Sequence, residues 1–138
     1  MECTVRWTNG MTFLAETASN HVVAMDGAPE GGGRNLAPRP MEMVLVGTGG
    51  CAAYDVVVIL KKSGQQITGC DVKLTSERAE TDPKVFTRIH MHFVVRGRSL
   101  KRNLVEHAIR LSHEKYCSAS IMLGKTAQIS TDFEILEE

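Results

Sequence analysis

Residues 40–64 read PMEMVLVGTGGCAAYDVVVILKKSG, and the fold turns on what this stretch is. From Met41 to Leu60 it is apolar on nearly every face of a helix; it opens on Pro40 and closes on Lys61 and Lys62, followed by Ser63 and Gly64. A proline in the first helical turn lacks an N–H that would have no partner anyway. Cations and then a glycine suit a helix C-terminus. The stretch therefore predicts one long helix beginning near Pro40 and buried on all sides. Its length raises the question of a membrane span. However, Glu42 and Asp55 lie inside it along with Gly47, Gly49 and Gly50, and a charge near a bilayer centre is costly. The core of a soluble fold, or of a dimer, is the expectation, with no membrane partner.

Upstream, Thr4 to Trp7, Thr12 to Glu16 and His21 to Met25 alternate apolar and polar residues and are separated by Asn9-Gly10 and Ser19-Asn20. This predicts an antiparallel three-stranded meander with a tight Asn-Gly turn. The next stretch, DGAPEGGGRNLAPRP, holds four glycines and three prolines in fifteen residues and reads as a long loop. Downstream, Ile67 to Glu80 and Lys84 to Arg96 form two long strand-like segments joined by Thr81-Asp82-Pro83. Leu100 to Tyr116 carries Leu104, Ala108 and Leu111 at helical spacing among charged residues, which predicts an amphipathic helix covering a sheet. Ser118 to Leu123 is a further short helical segment, and Thr126 to Leu136 returns to strand-like alternation. The predicted order is β-β-β-α-β-β-α-α-β, an α+β fold with a buried central helix against antiparallel strands.

At 138 residues the chain has the size of one domain, expected to span 1–138. Lys plus Arg and Asp plus Glu each total 16, so no overall basic field attracts nucleic acid. The N-terminus MECTVRWTNG has no apolar leader, which makes the cytoplasm the default location. The four cysteines, Cys3, Cys51, Cys70 and Cys117, form no CxxC pair and none of the close spacings of a zinc site. No metal and no cofactor are expected, and a cytosolic disulfide would be transient and chemical.

Cys51 lies in Gly47-Thr48-Gly49-Gly50-Cys51-Ala52-Ala53. Three glycines weaken a helix by roughly 1 kcal/mol each and suggest close approach of a backbone or a ligand, so the thiol either faces a narrow crevice or is an inert cysteine beside tight packing. Cys117 follows the amphipathic helix in Glu114-Lys115-Tyr116-Cys117-Ser118, where a new helical segment starts; N–H groups there would acidify a thiol. Asp55, four residues after Cys51, shares its helical face and opposes a thiolate. Cys3 and Cys70 sit in strands with no helix terminus nearby and read as core or surface residues. His90 and His92 form an H-x-H on one strand face, more often a pair of polar residues on a solvent face than two metal ligands. There is no P-loop, GxGxxG or GxSxG motif.

The segment Ala37-Pro38-Arg39-Pro40-Met41-Glu42-Met43-Val44-Leu45, with Cys51 beyond it, resembles the proline-led helix and first reactive cysteine of the OsmC and organic hydroperoxide resistance family. Glu114-Lys115-Tyr116-Cys117-Ser118-Ala119-Ser120 resembles the family's second cysteine segment. The PMEMVL and KYCS motifs are most similar to a YhfA-type branch. The resemblance implies an intertwined homodimer, with antiparallel sheets around two long helices and active sites at the interface. It also implies a thiol peroxidase acting on organic hydroperoxides, with Cys51 as the attacking residue, Cys117 as the resolving residue and an external dithiol as reductant. In active members a glutamate follows the helix-starting proline and pairs with an arginine that holds the thiolate. Met41 stands in that place here, Glu42 is one residue later, and Arg39, Arg34 or Arg6 is the candidate cation. The rival functions are binding of a small apolar ligand between the buried helices, and a partner-binding dimer without chemistry.

Overall fold

The computed structural model describes residues 1–138, which form two compact units, Met1–Val46 and Gly47–Glu138. In the first unit, strands β1 (Cys3–Asn9), β2 (Thr12–Thr17) and β3 (Val22–Met25) form an antiparallel sheet in the order β1-β2-β3. The β1–β2 turn rests on Gly10, whose φ of +54° suits the tight turn that an Asn-Gly pair supports.

The glycine-rich stretch after β3 is ordered around one buried carboxylate. Asp26 is 1% exposed; its Oδ1 accepts from Gly27 N–H at 2.7 Å and Arg34 N–H at 3.4 Å, and its Oδ2 accepts from Leu36 N–H at 3.2 Å and the Thr12 hydroxyl at 3.3 Å. Those N–H donors, Gly27 foremost, hold the Asp26 carboxyl below its ordinary value. A Cβ on Gly33 would collide with the Gly27 carbonyl, so a side chain at residue 33 is incompatible with this close return. Inside the stretch, Pro29–Gly31 forms a short 3₁₀ turn, regular structure that its composition did not suggest.

Helix α1 runs Pro40–Lys62, with bounds close to those the sequence predicts. It is not buried on all sides. Thr48 with Gly49, then Ala52, Val56 and Leu60, are buried at successive turns, whereas Val46 is 61% and Tyr54 72% exposed. Only this stripe is fully buried; Val57, Val58 and Ile59 are half-buried and Val46 and Tyr54 remain exposed. By length and composition α1 also passes the test for a membrane-spanning helix, with a mean hydropathy of 1.9, a test that core helices of soluble proteins pass too.

In the second unit, β4 (Gln66–Arg78) and β5 (Phe86–Arg98) pair antiparallel. Helix α2 (Arg102–Leu111) follows, then a π-helical turn over Ser112–Tyr116, helix α3 (Ser118–Leu123) and strand β6 (Gln128–Glu137). The sheet order is β4-β5-β6, and β6 runs parallel to β5, from Arg88↔Gln128 to Gly97↔Glu137. The expectation of antiparallel sheets is thus corrected for this pair. A parallel neighbour needs a long crossover, which α2, the π turn and α3 provide. The predicted helix over Leu100–Tyr116 is also shorter, since α2 ends at Leu111 and the rest is π-helical.

The core of this unit alternates along β5, where Ile89, Met91, Phe93 and Val95 are at most 1% exposed. Ala52, Val56 and Leu60 from α1 and Val105, Ala108 and Ile109 from α2 are also buried. Each large side chain removed from water contributes roughly 1.5–3 kcal/mol.

Candidate functional site

Cys51 and Asp55 stand one turn apart on α1, where the i,i+4 spacing puts both on one helical face. Cys117 reaches them from the other end of the crossover. The π turn sets its position, because Cys117 N–H donates to the Ser112 carbonyl at 2.7 Å, an i→i+5 bond of the kind that recurs at functional sites. Ser112 is itself buried and ties the turn to α1: its hydroxyl lies 3.3 Å from the Ala52 carbonyl oxygen and 3.2 Å from Asp55 Oδ2, and donates to them. As a result the Cys51 and Cys117 sulfurs and an Asp55 carboxylate oxygen all lie within 4.8 Å of one another.

Cys117 is 0% exposed and caps α3, its sulfur accepting from Ser120 N–H at 3.4 Å. The sequence predicts that this terminus acidifies the thiol. The balance goes the other way: burial pushes the Cys117 thiol up and Cys51 beside it adds to that, against the Ser120 hydroxyl and N–H, which pull it down. Cys51 is half-buried, so of the two it is the thiol that a small molecule can reach. Beside Asp55 lies a cleft of about 450 Å³ lined by Tyr54, Val58, Ile59, Leu111 and Tyr116, with Lys62 and His107 also on its wall.

The remaining predicted residues divide plainly. Cys3 is exposed and Cys70 half-buried, the latter pushed up to about 11 by burial with Asp71 adding to it. The three candidate arginines all have partners in the first unit. Arg6 pairs with Glu16 at 2.9 Å, and Arg34 donates to Asn9 and Thr12. Arg39 donates to Asn35 at 2.7 Å and sits 3.7 Å from Glu42, whose Oε1 also accepts the Arg39 N–H at 2.9 Å. Glu42 and Arg39 are therefore brought together with each other.

His90 and His92 belong to a ladder on the β5–β6 pair. Asp132 Oδ1 accepts from His90 Nε2 and from His92 Nδ1, each at 2.8 Å, and Glu134 accepts from His92 Nε2 at 3.0 Å. Asp132 and Glu134, which hold His92 above its ordinary value, were not visible as partners because they come from a strand 40 residues away. Ser112 was likewise missed, since nothing in the sequence marks a π turn.

The sequence model of the OsmC-like protein family matches residues 31–132, and this chain belongs to that family. Among its relatives is the protein YhfA of Escherichia coli, 49% identical over 136 residues, covering 99% of this chain and 98% of that protein. A crystal structure of a hypothetical protein from Aquifex aeolicus is similar at 28% identity with a TM-score of 0.87, covering 99% of this chain and 96% of that one. An organic hydroperoxide resistance protein OsmC from Legionella pneumophila shares the fold at 15% identity, with a TM-score of 0.70 and 97% of both chains covered.

Proposed function

We propose that this chain is a cytoplasmic, homodimeric, single-domain thiol peroxidase that reduces small organic hydroperoxides. The observation that carries the proposal is the meeting of Cys51 and Cys117, 66 residues apart in sequence, with sulfurs within 4.8 Å of each other. A disulfide needs about 2.05 Å, a closure within reach of side-chain rotation and a small backbone shift.

Cys51 is the attacking residue because it is the more accessible of the pair. Its thiolate takes the terminal peroxide oxygen, the O–O bond breaks, and the leaving alkoxide picks up a proton to become an alcohol. The sulfenic acid left on Cys51 condenses with the Cys117 thiol, forming the S–S bond and releasing water. An external dithiol returns two electrons and two protons. Burial suits Cys117 to this second role, since it has only to meet Cys51. Arg39, steadied by Glu42 and Asn35, is the cation assigned to the thiolate in the assembled dimer. The exposed Val46 and Tyr54 on α1 support the pairing of two chains.

A second reading, binding of a small apolar ligand, draws on the cleft beside Asp55, whose size falls in the ligand-pocket range.

The test is peptide mass mapping after one equivalent of cumene hydroperoxide, with hydrogen peroxide for comparison and Cys51→Ser as control. A Cys51–Cys117 disulfide formed within seconds, absent in the variant and slowed in Arg39→Ala, supports the peroxidase. Survival of both thiols in excess oxidant rejects it in favour of ligand binding.

A further inference from the structure

Cys51, Cys117 and Asp55 bring two soft sulfurs and one carboxylate to a common point, with their donor atoms within 4.8 Å of one another. A tetrahedral zinc ion, with bonds of about 2.3 Å to sulfur and 2.0 Å to oxygen, needs donors about 3.5–3.8 Å apart. The cluster is therefore within about 1 Å of the spacing that a metal would impose. The two helical ligands come from one face at i,i+4, a placement that also serves the two histidines of helical zinc sites, and the third comes from the cap of α3.

Charge and surroundings point the same way. No lysine or arginine pairs with Asp55, and the hydrogen bond it accepts comes from the neutral Ser112 hydroxyl. Two thiolates and a carboxylate would together carry three negative charges, and neither Lys62 nor His107 on the wall of the neighbouring cleft forms an ion pair with Asp55; a divalent ion leaves a net charge of minus one. The Ser112 bond orients the carboxylate as outer-shell partners do for metal ligands. Two sulfurs among three donors select a soft or borderline ion over magnesium or calcium. The sequence concealed the site because its ligands lie in segments 66 residues apart and share no CxxC spacing.

We infer that the reduced chain holds one zinc-class divalent cation through Cys51 Sγ, Cys117 Sγ and an Asp55 carboxylate oxygen, leaving a fourth position open to water or a small ligand. Binding releases the two thiol protons to solvent. The site shares its thiols with the proposed peroxidase but does not depend on turnover. The metal and the disulfide are mutually exclusive, because the lone pairs that bind the ion are those lost when the sulfurs join. With a hydroperoxide as oxidant, the metal-bound dithiolate, the peroxide and two protons yield the disulfide, the free divalent ion, an alcohol and water.

The experiment is a cobalt(II) titration of the full chain, reduced and stripped with a chelator under anaerobic conditions, followed by zinc competition. The expected result is one cobalt per chain with a sulfur-to-cobalt charge-transfer band, displaced by zinc. The band falls to about half in Cys51→Ser. Affinity falls at least roughly tenfold in Asp55→Asn, a loss of the size seen when even an outer partner of a ligand is removed. Circular dichroism of each variant confirms folding, and Cys70→Ser, outside the cluster, keeps the full band. No band while both thiols still react with a thiol reagent would overturn the site, as would an Asp55→Asn affinity equal to that of the unaltered chain. Challenge of the same stripped protein with cumene hydroperoxide separates the two proposals: disulfide without metal binding removes this one alone, and metal binding without disulfide removes only the peroxidase.

Discussion

Replacing Ser112 with alanine tests whether the π turn is what brings the two thiols together. The substitution removes one buried hydroxyl, with its bonds to Asp55 at 3.2 Å and to the Ala52 carbonyl at 3.3 Å, and leaves the backbone free to keep its place. Both bonds are long, so each belongs at the weak end of the usual range, and the carboxylate bond is the stronger because its acceptor is charged. The Ala52 carbonyl keeps its helical partner, so one acceptor is left underserved, not two. The sum is about 1–2 kcal/mol of lost stability. With an unfolding entropy of roughly 2 cal/mol/K per residue, that lowers Tm by about 3–7 °C. Urea unfolding of the reduced, chelator-stripped chain is the assay, with a lower midpoint and an unchanged slope expected. Disulfide formation between Cys51 and Cys117 should slow as well, because the turn that positions Cys117 is no longer tied to α1. A stability within a few tenths of a kcal/mol of the parent, with an unchanged rate, would refute the reasoning, since the hydroxyl would then not be the tie.

Three other outcomes are expected. Leu60→Ala, at a position 0% exposed, should cost about 2–5 kcal/mol by urea unfolding. Cys70, pushed up to about 11, is only about one part in a thousand thiolate at pH 8, so iodoacetamide mapping should find it modified well after exposed Cys3. His92 is raised above 6.5 and Asp132 lowered below 3.8, each chiefly by the hydrogen bond to the other. The His92 contribution is therefore full below pH 6.5 and is lost as pH rises through its raised value. The Asp132 contribution is present above pH 3.8 and is lost as pH falls through its lowered one. His92→Gln should flatten the fall in urea midpoint on the alkaline side; an identical pH profile would contradict the ladder.

The elements were legible because each carries its own local chemistry. Asn9-Gly10 specifies a turn, Pro40 and Lys61-Lys62-Ser63-Gly64 bracket α1, and the alternation of β5 marks a strand. What the sequence could not show was long-range or cooperative. The parallel setting of β6 depends on the whole crossover, not on residues 128–137, whose alternation suits either direction. The π turn looks helical by period, because Ser112 to Tyr116 have no composition that distinguishes i→i+5 from i→i+4 bonding. How α1 is buried was not legible for a related reason: an apolar surface states a demand for cover without naming what meets it, and within one chain only the stripe from Thr48 to Leu60 is fully buried. The two cysteines of the candidate site were marked by their flanking motifs, and the fold brings their sulfurs within 4.8 Å of each other. Ser112 was not so marked, since a serine in an amphipathic segment is ordinary until its hydroxyl is seen bridging to another helix.

The chemistry of the cluster is governed by where positive charge comes from. A thiolate attacking a peroxide needs a cation nearby that does not quench its nucleophilicity. The arginines closest to the motif in sequence are already engaged, Arg39 with Glu42 and Asn35, and Arg34 with Asn9 and Thr12. Asp55, meanwhile, adds negative charge to the side where the thiols meet. A guanidinium brought in by a second chain and a divalent ion bound by the three donors both answer that imbalance, and their consequences are opposite. The guanidinium leaves the sulfur lone pairs free for peroxide, whereas the ion occupies them. Asp55 is the residue that distinguishes the two cases: it is an obstacle to a peroxidatic thiolate and an asset to a metal ligand set, so the direction in which its neutralisation moves disulfide formation reports which source of charge the folded protein uses.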